Sequence, residues 1–114
     1  MERFIEKFGT KALQRFLCET EIELVKSPTT AAGFWAVKEA CSKALGCGIG
    51  LECSFHDIRI YKDAKGAPKI ALKRRVIEAF SIEEAALSIT HDDGYAIAVV
   101  TLRQSTPTDK VKQF

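Results

Sequence analysis

Apolar residues recur at nearly helical spacing through the first part of the chain. Phe4, Ile5, Phe8, Leu13, Phe16 and Leu17 predict a helix over about Glu2 to Leu17, interrupted or kinked at Gly9 and Thr10. Thr20 followed three positions later by Glu23 has the form of a capping box and predicts a short second helix to about Lys26. Ser27-Pro28 ends it, and Thr29 or Thr30 caps a longer helix that runs to about Leu45 and stops at Gly46 and Gly48. After Gly50 the period changes. Phe55, Ile58 and Ile60 read as a strand, Asp63 to Pro68 as a turn in which Gly66 is free to take positive φ, and Ile70 and Leu72 as a second strand. Lys73 to Phe80 reads as a helix or helical turn. Ala86 to Thr90 and Tyr95 to Leu102 then form two strands joined across His91-Asp92-Asp93-Gly94. The run Ala96-Ile97-Ala98-Val99-Val100 is continuously apolar, which predicts a strand buried on both faces.

Together these elements predict an α+β fold, helices packed on one side of an antiparallel sheet. The polar, aperiodic segment after Arg103 reads as a frayed end, giving one domain over residues 1–103 and a disordered tail over 104–114.

A chain of 114 residues is long enough for one hydrophobic core without disulfide staples. Its 46% hydrophobic and 28% charged content is that of a soluble globular domain. No run approaches the roughly 20 apolar residues of a membrane helix, and the N-terminus has no apolar signal core. A cytoplasmic protein with no membrane partner is expected. The four cysteines, Cys18, Cys41, Cys47 and Cys53, form no C-x-x-C pair and have no histidine at zinc-ligand spacing, so they read as reduced packing residues. The net charge of +2 is too small to indicate nucleic acid. Its distribution matters more. Lys7, Lys11 and Arg15 recur every four residues, forming either a solvated helix face or a dock for an acidic partner to which Phe4, Phe8 and Leu17 would add apolar area.

The densest chemistry lies in residues 34–48, where Lys38 and Glu39 stand one turn before Lys43 in an Ala-rich helix beside Trp35. Glu39 and Lys43, four apart, share one side of the helix. Such a pair is either an ordinary surface ion pair, worth little, or a device for holding a divalent metal and a phosphate together.

Trp35, Lys38, Glu39, Ala40 and Lys43 match an aromatic-x-x-Lys-Glu-Ala-x-x-Lys pattern. Three collinear segments accompany it: Ala44-Leu45-Gly46-x-Gly48-Ile49-Gly50 continues the pattern, Ser54-Phe55-x-Asp57-Ile58 leads to Lys65-Gly66-x-Pro68, and Ser88-Ile89-Thr90-His91 precedes Tyr95-Ala96-Ile97-Ala98. In all of these the chain resembles the 4'-phosphopantetheinyl transferases, closest to the small bacterial holo-acyl-carrier-protein synthases, from about Phe4 to Leu102. The resemblance implies Mg²⁺-dependent transfer of phosphopantetheine from coenzyme A to a serine of apo acyl carrier protein, with release of adenosine 3',5'-bisphosphate, in fatty acid biosynthesis. It implies Glu39 as catalytic residue and Mg²⁺ ligand, Lys43 as catalytic residue against the coenzyme A phosphates, and Lys38, Lys65, Gly66, Pro68 and His91 as coenzyme A-binding residues. For Lys38 the choice between ligand contact and support of Glu39 stays open, as it does for His91 between phosphate contact and a structural hydrogen bond. The basic stripe Lys7, Lys11 and Arg15 becomes the dock for the acidic carrier. A homotrimer with sites between subunits is also implied.

Two departures accompany the likeness. Members carry an early Gly-x-Asp strand whose Asp is a second Mg²⁺ ligand, whereas this sequence starts within the first helix, which reads as a truncated start. Phe34 stands where many members have an arginine. The alternative reading is a catalytically impaired coenzyme A or carrier-binding module of the same fold.

Overall fold

A computed structural model describes residues 9–105 and 113–114, so the basic position Lys7 and most of the expected tail lie outside the described residues. Residues 9–13 are helical, with Gly9 at φ 57°, and turn at 14–16 to bring Leu13, Phe16 and Leu17 into the core. The short helix α1 (Glu19–Glu23) is capped at Cys18, whose N–H donates to the Glu21 carboxylate at 2.8 Å. The expected Thr20/Glu23 box is therefore displaced by two residues: Glu21, not Glu23, turns back onto the cap.

Helix α2 (Pro28–Leu45) is the longest helical element described. Ser27 caps it by accepting from the Thr30 N–H at 3.2 Å, two residues before the first of the threonines the sequence suggested. Pro28 then occupies the first position, where its missing N–H has no partner to lose. At the other end Gly46, at φ 87°, supplies the left-handed residue that closes the helix. The stripe Phe34, Lys38 and Cys41 points inward.

A 3₁₀ turn (Phe55–Asp57) stands where the first strand was expected to begin. Strands β1 (Ile58–Lys62) and β2 (Pro68–Leu72) pair antiparallel with Ile60 opposite Ile70. Buried Asp57 anchors the turn: its carboxylate accepts from the Ser54 N–H at 2.8 Å and pairs with Arg75. Burial alone would raise the Asp57 pKa, but the Ser54 hydrogen bonds and the Arg75 and Lys73 charges hold it below the usual carboxylate range. Helix α3 (Arg74–Phe80) places Val76 in the core. Strands β3 (Ile82–Asp92) and β4 (Tyr95–Gln104) form a long hairpin closed by Asp93 and Gly94, at φ 47° and 78°. Both central residues at positive φ match the right-handed strand twist. His91 and Asp92 are thus strand residues, not loop.

Three expectations change here. The described strands make two two-stranded sheets, not one continuous sheet. Strand β4 alternates in burial along its length, with Tyr95, Ile97 and Val99 outward, so the apolar run is not covered on both faces. Gln104 belongs to β4 and donates to the Phe80 carbonyl at 2.8 Å, so the ordered hairpin passes the expected boundary at Arg103. Helix α2 packs against β4 and β3, and two core clusters flank it. One gathers Phe16, Leu17, Phe34, Val37 and Ile60; the other Cys41, Cys53, Ile58 and Val76. All four thiols are free, and burial pushes Cys41 up to about 12 and Cys53 up to about 11, which keeps both protonated at neutral pH.

Candidate active site on the long helix

A helix buried along one stripe displays the residues offset from it. With 100° per residue, the inward stripe Phe34–Lys38–Cys41 leaves Trp35, Glu39 and Lys43 on the outward side. Trp35 is 42% exposed and packs by its edge on Phe16, with ring centres 5.3 Å apart. Glu39 is half-buried and Lys43 exposed. Among the described residues neither forms an ion pair or a side-chain hydrogen bond, with the other or with a third group. The ordinary surface pair that the spacing permits is not made. Lys43 borders a cleft of about 270 Å³ lined also by Leu45, Gly46, Ile82, Leu102 and Gln104.

Lys38 departs from the expected coenzyme A-binding set. Its side chain is fully buried, and its ammonium donates to the Phe16 carbonyl at 2.6 Å, Glu21 Oε1 at 2.9 Å and the Phe55 carbonyl at 3.0 Å. An ammonium has three protons, and all three are used inside the protein. Burial lowers its pKa, against which the hydrogen bond and charge of Glu21 act. Glu21 Oε2 in turn accepts from the Ile60 N–H at 2.9 Å. Lys38 thus bonds neither a ligand group nor Glu39 but Glu21 and two backbone carbonyls, and Glu21 is a residue the sequence reading passed over. A signal for it existed, since Lys38 lies on the apolar stripe of α2.

His91, next to last in β3, has its ring against Gly33 of α2, at the level of the helix six residues before Glu39 and about 9 Å away along the axis. The Lys65-Gly66-Ala67-Pro68 turn is self-contained. Asp63 Oδ1 accepts from the Lys65 and Ala67 N–H groups at 2.9 Å each, and Gly66 takes φ 85°. Its recorded hydrogen bonds remain within the hairpin, so a single chain does not show it meeting Glu39. Lys11 and Arg15 are exposed as the docking reading requires.

Mg²⁺ favours oxygen ligands and keeps several waters, so it is commonly held by one or two carboxylates together with substrate phosphates. A carboxylate next to an ammonium, neither paired among the described residues, fits that chemistry. Among the described residues no cluster of three or more His, Cys, Asp or Glu makes an all-protein metal cage.

Residues 1–100 match the model of the 4'-phosphopantetheinyl transferase superfamily. The chain belongs to that family. It is 57% identical over 111 residues to the holo-[acyl-carrier-protein] synthase of Sulfurimonas denitrificans, covering 97% of this chain and 91% of the relative. The corresponding protein of Wolinella succinogenes is 58% identical over 91% of this chain and 88% of its own. Among solved structures, the Helicobacter pylori holo-[acyl-carrier-protein] synthase in complex with coenzyme A superposes with a TM-score of 0.84 at 48% identity, covering 90% of each chain. The match extends through both the helical part and the hairpins, so the α+β fold and the transferase class hold for the whole described domain. No helix among the described residues is long and apolar enough to cross a membrane.

Proposed function

We propose that this transferase moves the 4'-phosphopantetheine group from coenzyme A to a serine of apo acyl carrier protein, in the cytoplasm and in support of fatty acid biosynthesis, using Mg²⁺ held by Glu39. The observation that carries the reading is the Glu39 carboxylate and Lys43 ammonium, unpaired among the described residues and side by side on the exposed flank of the signature helix. The carrier hydroxyl attacks phosphorus, the pyrophosphate P–O bond breaks, and adenosine 3',5'-bisphosphate leaves. When bound, Mg²⁺ supplies Lewis-acid stabilisation of charge on the pyrophosphate oxygens. Lys43 adds a point charge to the same oxygens, and His91 holds a coenzyme A phosphate. The backbone of Lys65, Gly66 and Pro68 lines the adenosine end. Lys11 and Arg15, with Lys7, steer the acidic carrier in.

The outward row of β4 supports a homotrimer with shared sites. Tyr95, Ile97 and Val99 are 74%, 57% and 56% exposed, a contiguous apolar face unusual for a lone chain. Association that covers this face also lets the Gly66 turn of one subunit approach the helix of another. Light scattering should return a trimer mass, and Ile97→Glu should return a monomer. A wild-type monomer would end the shared-site reading.

The direct test is the intact mass of an apo acyl carrier protein incubated with the protein, coenzyme A and Mg²⁺. A phosphopantetheine mass gain that vanishes with EDTA is expected. Binding of coenzyme A or carrier without any gain would instead select the impaired binding module.

A further inference from the structure

Gly33 sits inside α2, in its second turn, where glycine is the poorest helix former after proline. Its backbone does not need glycine, since it is helical and absent from the positive-φ positions. What needs glycine is the space. A methyl group on its Cα would lie 3.0 Å from His91 Cε1, 3.7 Å from His91 Nε2 and 3.4 Å from Ile89 Cγ2. The other glycines of the described chain have open space at the corresponding point. The approach of helix to histidine is therefore particular to Gly33.

We infer that Gly33 is a positioning residue for coenzyme A binding, a missing side chain on α2 that seats the His91 ring on the same helix that carries Glu39 and Lys43. The inference rests on the reading of His91 as a phosphate contact. His91 itself is exposed at the end of a strand, with Asp93 and Gly94 turning just beyond it. A methyl at position 33 would thus push the ring outward and leave the core intact. Comfortable carbon contacts begin at about 3.5 Å, so the ring must retreat by about half an ångström. The phosphate contact moves with it, while the Glu39–Lys43 flank, on another side of the helix, stays in place.

The test is a double-mutant cycle of Gly33→Ala and His91→Ala, read as KM for coenzyme A, kcat and melting temperature. Gly33→Ala is expected to raise KM about fivefold, since misplacement by about 1 Å is worth up to roughly a hundredfold. It should change kcat less and leave the melting temperature equal or higher, because alanine suits the helix better. Gly33→Val, with a larger side chain, should raise KM further. His91→Ala should raise KM by itself, and adding Gly33→Ala to it should raise KM no more. If His91→Ala raises KM and Gly33→Ala does not, the seat is wrong and the histidine reading survives. If His91→Ala leaves KM unchanged, the histidine reading fails and the seat fails with it. An undiminished Gly33→Ala effect in the His91→Ala background would show that it acts through the helix and not through the ring. Isothermal titration with coenzyme A alone should reproduce the KM pattern as binding.

Discussion

Glu39→Gln lowers kcat by about a hundredfold or more while leaving the fold untouched. Metal-assisted stabilisation of transition-state charge is worth several kcal/mol, and every 1.36 kcal/mol is about tenfold in rate. Glutamine keeps the shape and one oxygen but loses the charge that draws a divalent cation. Stability is insulated from the change because the Glu39 carboxylate has no ion-pair or hydrogen-bond partner among the described residues. Single-turnover rates across a Mg²⁺ titration, beside a thermal melt, check both halves. The variant should need more Mg²⁺ for a smaller maximum, at an unchanged melting temperature. Wild-type rates at low Mg²⁺ would remove Glu39 from metal binding. A large fall in melting temperature would mean that the carboxylate serves the fold.

How legible this was in the sequence varies element by element. Helix α2 was legible at its far end because Gly46 is a local stop and its apolar stripe has the helical period, whereas Ser27-Pro28, which reads equally as the end of the helix before, is in fact its cap and first residue. Glu39 and Lys43 were legible as neighbours for the same reason, and fixed helical geometry sets their common side. The β3–β4 hairpin was legible through Asp93-Gly94, but its strands were read too short, since Glu83 and Glu84 are polar residues on an exposed flank and look like a loop. Strand β4 was misread for the opposite reason. Ala96 to Val100 has no polar residue to mark the outward positions, so alternation in space left no alternation in sequence. Glu21 was passed over because its partners Lys38 and Ile60 stand 17 and 39 positions away and only packing brings them together. Lys38 was open for a related reason. A lysine next to a metal-ligand candidate suggests a ligand contact, and its place on the apolar stripe was the one clue to burial. The meeting of His91 with Gly33 joins two elements whose relative placement no local pattern records.

Lys38→Met is expected to be the most damaging single change to stability. The Lys38–Glu21 pair is buried on both sides, at 0% and 1% exposure, and it ties together parts of the chain that have little else polar in common. The ammonium holds the carbonyls of Phe16 and Phe55, while the carboxylate holds the N–H groups of Cys18 and Ile60. Methionine fills the volume but leaves the Glu21 charge buried without its counter-ion and the Phe16 carbonyl without the ammonium donor, while the Phe55 carbonyl keeps only the Ile58 N–H. Breaking a buried pair from one side costs about 3–5 kcal/mol, a large part of a domain's total stability. For a chain of this size that is a fall of roughly 10–25 °C in melting temperature, read at fixed protein concentration. Adding Glu21→Gln should recover part of the loss. The neutral amide removes the stranded charge and still offers an oxygen to a backbone N–H. A coupling energy of 1 kcal/mol or more in that cycle, roughly the range for groups in direct contact, would show the two acting as one unit. If Lys38→Met melted within about 2 °C of wild type, less than roughly 1 kcal/mol, the pair would not be what holds α2 in place. The Glu39 and Lys43 flank would then owe its orientation to apolar packing alone.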